Sequence, residues 1–214
     1  YRRIVRFFQK CGADKLAPMD RDGVTRGYDF DKLWKGRAVI FSLFRKDPRR
    51  TTIATLYKRV ATASREPGLY ASLGIPDTLE GRFEALSLHM ILVLRALREM
   101  PPPADEVAKD LTDAFFRDMD ASLREMGVGD TVVPKRMKKI AESFYGRAQA
   151  YDGPLNATDE AELASALGRN AYGSEAPATS LARYALAADQ GFGGAELDAL
   201  LRTGPAFPKA EAFA

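Results

Sequence analysis

The chain is poor in the residues that metal and redox chemistry usually needs: 214 residues include one cysteine, Cys11, and one histidine, His89. A single thiol excludes an internal disulfide framework, and with one imidazole it leaves no cluster for zinc. A reducing compartment is therefore expected. No apolar run reaches the roughly 20 residues that a membrane-spanning helix needs. The oiliest stretch, Ala85 to Leu94, is interrupted by Ser87 and His89 and closed by Arg95 and Arg98. Nothing combines the charged start, apolar centre and small-residue cleavage site of a secretory signal, so the protein is expected to stay inside. Strand alternation, hairpin turns and internal repeats are missing as well. Helical periodicity remains, and the class is all-α.

With 46% hydrophobic and 29% charged residues, the chain can bury one good core. We expect a single compact helical bundle with a basic N-terminal extension and a loosely packed C-terminal end. The net charge of +3 conceals a gradient. Residues 1–50 hold 14 Lys/Arg against 6 Asp/Glu, residues 51–151 hold 14 against 14, and residues 152–214 hold 4 against 9. The opening YRRIVRFFQKC is basic and amphipathic, suiting a bilayer-surface anchor or part of an address sequence. Residues 12–32 are polar and glycine-punctuated and read as loop. In WKGRAVIFSLFRKDPRR, at 34–50, aromatics stand between cations. That pattern fits either a core plug with solvated arginines or a bilayer contact.

Thr51 or Thr52 can cap a helix carrying Ile53, Leu56, Tyr57 and Val60, ending before Glu66-Pro67. GLYASLG then reads as a turn. For GIPDTLEGRFEALSLHMILVLRALREM, at 74–100, Asp77 is the expected N-cap and Glu80 its capping-box partner, so that the helix begins at Thr78. This helix is apolar nearly all round, as befits the middle of a bundle, and three prolines stop it at Met100. Further helices are expected at about 104–126, closed by Gly127, and at about 133–151, opened by Pro134. Weaker ones follow at about 158–171, 178–189 and 194–202. The end PAFPKAEAFA is expected to be loose.

Three constellations invite chemistry. His89 sits between Leu88 and Met90 with no orienting partner in the pattern, and a buried histidine bonded to a carboxylate explains it better than a general base. Asp118 and Asp120 diverge by about 200° on a helix, so they do not converge on a metal as paired aspartates do. Lys135, Arg136, Lys138 and Lys139 crowd the first turns of a helix, against the macrodipole. They form either a solvated face or a basic docking patch for phosphate, an acidic protein or anionic lipid headgroups. Gly81 and Gly146, each beside an arginine, suggest two helices crossing closely.

GIPDTLEGRFEALSLHMILVLRAL at 74–97, FRDMDASLREMGVGD at 116–130 and VPKRMKKIAESFYGRAQAY at 133–151 resemble the ubiquinol-cytochrome c chaperone family. IFSLFRKDP at 40–48 is a weaker opening of the same resemblance. The resemblance spans residues 39–173 and leaves 1–38 as an N-terminal extension and 174–214 as a C-terminal helical extension and tail. It implies a non-enzymatic, cofactor-free assembly factor that binds newly synthesised cytochrome b and promotes assembly of respiratory complex III. The implied place is the bacterial cytoplasm, peripheral at the inner membrane, or the mitochondrial matrix side if eukaryotic. The ribosome exit region and an anionic membrane surface are the further partners it implies.

The matching motifs place Asp77, Arg82, Glu84, Tyr145 and Arg147 on the expected client-binding surface. Two arrangements of Arg82 are open: contact with Asp118, Asp120 or Glu125 across the bundle, or exposure in a groove. The competing readings are a basic helical adaptor for ribosome or membrane surfaces, and a small all-α enzyme, for which no convergent ionisable set is seen.

Overall fold

The computed structural model describes residues 48–214. The expectations for the N-terminal anchor, the loop at 12–32 and the aromatic–cation segment up to residue 47 lie outside the described residues. Within them the chain is helical without a strand. The order is α1 (Pro48–Ala63), α2 (Pro67–Ala71), α3 (Leu79–Glu99), α4 (Ala104–Glu125), α5 (Val133–Ala157), α6 (Glu160–Leu167), a π-helical turn (Gly168–Tyr172), α7 (Thr179–Gly191), α8 (Leu197–Thr203) and a 3-10 turn (Ala210–Phe213).

α3 runs through the centre and touches α1, α4, α5 and α7. Every residue from Glu84 to Leu94 is buried, because apolar side chains surround the helix and each neighbour covers one side. Its N-cap is Thr78, whose Oγ1 accepts the Gly81 amide at 3.1 Å, one residue later than the expected Asp77 cap. The reason is local: Asp77 turns to the Arg82 guanidinium at 2.7 Å, leaving the cap to the next hydroxyl. Gly81 is needed here, since a Cβ would lie 1.8 Å from the Pro76 carbonyl oxygen.

α4 carries Asp105 and Glu106 in its first turn and Arg124 in its last, the arrangement that complements the helix dipole. Gly127 ends it at φ 76°, with its amide on the Arg124 carbonyl and the Val128 amide on Leu123; this is the Schellman closure. α5 continues past the expected stop at Tyr151 and incorporates Pro154. That proline removes the bond to the Ala150 carbonyl, and Ala150 is on the exposed side, where solvent can take it. GLYASLG is helical at Pro67–Ala71 instead of a bare turn, with Pro67 at the first helical position.

The C-terminal end is not loose. The Phe207 ring lies 4.4 Å from the His89 ring and 5.3 Å from Phe192, and Phe213 meets Tyr184 edge-on at 5.9 Å. Ala210 is fully buried beside Gly68. Two well-spaced phenylalanines gave this segment enough apolar area to roof the core, a signal hidden among its prolines and charges.

Candidate functional site

Polar groups on α3 divide into those sealed within the bundle and those at its surface. Glu84 and Arg147 form a buried bidentate pair, with Arg147 Nη2 and Nε both 2.5 Å from the carboxylate oxygens. The guanidinium also donates to the Ser143 carbonyl at 2.7 Å and stands 5.6 Å over the Phe83 ring. Burial pushes the Glu84 carboxyl above its ordinary value, against the downward pull of Arg147. The side chains are only 2% and 3% exposed, so a client-facing role for Glu84 and Arg147 requires an exposure that this arrangement does not give them. They tie α3 to α5 instead.

His89 is fully buried. Its Nδ1 lies 2.7 Å from the Ala85 carbonyl and its Nε2 2.8 Å from the Tyr184 hydroxyl. The expected carboxylate partner is replaced by a phenol from α7. Burial lowers the imidazole pKa to about 4 and pushes the Tyr184 phenol up. The Nδ1–carbonyl contact puts the proton on Nδ1, and the phenol then donates to Nε2. Both bonds are closed within the core, and the ring has no route to a reacting group.

Arg95 was not singled out by the sequence, yet it joins three helices. It pairs with Asp152 on α5 and, at 3.0 Å, with Asp189 on α7, and it donates to Asn156. No local spacing signals partners 57 and 94 residues away.

The surface groups lie at the start of α3. Arg82 is exposed and paired with Asp77 at 2.7 Å, both side chains 60% accessible. The hydrogen bond to Arg82 holds the Asp77 carboxyl below its usual value. Of the cross-bundle partners considered for Arg82, Asp118 accepts the Tyr57 hydroxyl at 2.7 Å and Asp120 pairs with Arg124, while Glu125 is exposed at the C-terminal end of α4. Arg82 instead lines a shallow groove with Arg65, Pro67, Tyr70, Ile75 and Asp77. Tyr70 and Arg65, which pattern reading missed, enter through the fold of α2. Tyr145 is half-buried and packs on Phe116 and Phe144, at 5.8 and 5.5 Å, on the α4–α5 side.

In the basic set, Lys135, Lys138 and Lys139 are exposed and Arg136 is buried. The four-cation patch is therefore a three-lysine face. Gly146 meets nothing within 4 Å of where a Cβ would stand, so the expected close helix crossing there is absent; Gly81 is crowded by its own preceding turn. Among the described residues, no group of three or more His, Cys, Asp or Glu could hold a metal ion, and no helix is long and apolar enough to cross a membrane.

Comparison with curated proteins gave no match. Among solved structures, the crystal structure of the Cbp3 homolog from Brucella abortus superposes with a TM-score of 0.69 at 37% identity, covering 76% of this chain and 92% of that one. The family model described as ubiquinol-cytochrome C chaperone matches residues 71–207, from the end of α2 into the segment that carries Phe207 over His89. With that match spanning most of the bundle, the chain belongs to the ubiquinol-cytochrome C chaperone family.

Proposed function

We propose that the protein is a non-enzymatic assembly factor that binds newly synthesised cytochrome b and promotes its entry into respiratory complex III, working at the periphery of the membrane that houses the complex. Family membership over residues 71–207 is the observation that carries this reading. The interior is consistent with it: Glu84, Arg147 and His89, the carboxylate, guanidinium and imidazole groups buried most deeply, are closed in internal bonds, as a binding scaffold requires and a catalytic cleft does not.

The candidate client contact is the groove of Arg82, Asp77, Tyr70 and Arg65, with Tyr145 as a second anchor. Arginine and tyrosine are the side chains that most often dominate binding energy at interfaces. Deletion of the gene is expected to lower cytochrome b and assembled complex III while other respiratory enzymes stay near normal. Crosslinking in the native membrane fraction should trap cytochrome b. Normal cytochrome b abundance and ubiquinol oxidation in the deletion strain, with no second copy of the gene, would sink the proposal.

A further inference from the structure

The three large hydrophobic side chains exposed among the described residues are Leu79, Met126 and Val132, at 49%, 47% and 37% accessibility. They share one end of the bundle. α3 and α5 run parallel, since Glu84 pairs with Arg147 and Arg95 with Asp152, offsets of 63 and 57 residues. Leu79, the first residue of α3, is therefore level with about residue 140 of α5, and α5 begins roughly 10 Å further out. Met126 caps α4 and Val132 precedes α5, so both stand on the loop of this projecting hairpin. The hairpin end has its own small core of Leu123, Val128, Val133 and Ile140, separate from the main one. It is a rigid tip rather than a floppy loop.

Charge accompanies these apolar groups. Val133, Arg136, Ile140 and Phe144 face inward, which leaves Lys135, Lys138 and Lys139 within about 100° of the outer circumference of α5. Of the nearby acids, Asp120 and Asp130 are engaged by Arg124, while Glu142 lies 3.8 Å from Lys138 and offsets part of the patch's own charge in a solvent-exposed pair. Glu125 is a further exposed acid on the same hairpin.

We infer that this tip docks on an anionic lipid bilayer, with Met126 and Val132 entering the interface and Lys135, Lys138 and Lys139 meeting the headgroups. Aliphatic side chains beside a lysine cluster suit the headgroup–acyl boundary. A single-stranded RNA site would instead present aromatics for base stacking, and the exposed apolar groups here are aliphatic. The inference refines the peripheral placement proposed above by naming the surface, and it does not depend on what the client is.

The test is co-sedimentation of the full 214-residue chain with vesicles of phosphatidylcholine alone and of phosphatidylcholine mixed with phosphatidylglycerol. Each variant is checked for an unchanged helical spectrum and melting temperature. Binding is expected only to the mixed vesicles and should weaken with salt. The K135Q/K138Q/K139Q variant is expected to bind on the order of 100-fold more weakly, and M126S/V132S should also lose binding. Glu125→Gln should bind several-fold more tightly. Equal binding to neutral vesicles, binding that the tip variants leave unchanged, or tip-dependent binding of RNA without lipid would each overturn the inference. Capture of cytochrome b in detergent, measured on the same variants, separates this outcome from failure of the chaperone reading: loss of vesicle binding with normal capture is the expected pattern.

Discussion

Glu84 and Arg147, 63 residues apart in the chain, meet as a buried ion pair between α3 and α5, each side chain almost wholly enclosed. Removing one partner leaves the other charge buried alone. Glu84→Ala is therefore expected to cost about 3–5 kcal/mol, whereas replacing both by apolar residues of similar volume, as in Glu84→Leu with Arg147→Met, should be near neutral. Urea unfolding of the single and double variants checks this; additive losses would show that the pair is not the source.

His89 gives a pH dependence with a definite sign. Its folded-state pKa of about 4 lies below the ordinary 6.5, so the unfolded chain takes up the proton first. Stability from this group is complete above pH 6.5 and falls as pH drops toward 4, by a total of roughly 3 kcal/mol. His89→Gln removes that slope. Unfolding free energies of both chains across this range should converge as the pH falls, and parallel curves would contradict the assignment.

Two glycines on helices should respond oppositely to the same change. Gly81→Ala drives a methyl into the Pro76 carbonyl, 1.8 Å away, and must displace backbone; a loss of about 2 kcal/mol or more is expected. Gly146→Ala meets open space and should gain about 1 kcal/mol from helix propensity. Thermal melts of the two variants decide it.

Arg82 and Tyr145 separate binding from packing. Arg82→Ala removes only an exposed pair with Asp77, so the melting temperature should hold while crosslinking to cytochrome b falls. Tyr145→Ala also loses contacts with Phe116 and Phe144 and should cost roughly 1–3 kcal/mol of stability as well. Folded variants that both still capture cytochrome b at the normal level would remove the client-surface assignment.

The helices were legible where periodicity and punctuation agree, as in α3 with its triple proline and α4 with Gly127. Element ends moved where a tertiary contact competed: Asp77 left the cap for Arg82, and α5 absorbed Pro154. The surface was less legible than the core. Glu84 and Arg147 stand in the same motifs as Arg82 and Tyr145, and sequence spacing cannot say which charge is turned inward. Burial depends on the offset between α3 and α5, which is fixed by packing between residues 63 positions apart. Arg136 was lost from the basic patch for the same reason, since one helical step separates its inward face from Lys135.

The His89–Tyr184 contact has a consequence for the time course of folding. These residues are 95 positions apart, and Tyr172 reaches the Leu73 carbonyl across 99. A helical bundle assembled from neighbouring hairpins can close by short loops, but here the central helix meets its polar partner only after α7 has returned over it. Loop closure on that scale precedes the contacts that reward it, which slows folding relative to bundles with local pairing. In the unfolded chain the imidazole of His89 titrates near 6.5, well above its native value of about 4, so at lower pH a proton must leave before the core closes. The refolding rate should accordingly fall as pH drops below 6.5, through a residue that is sealed from solvent in the finished protein.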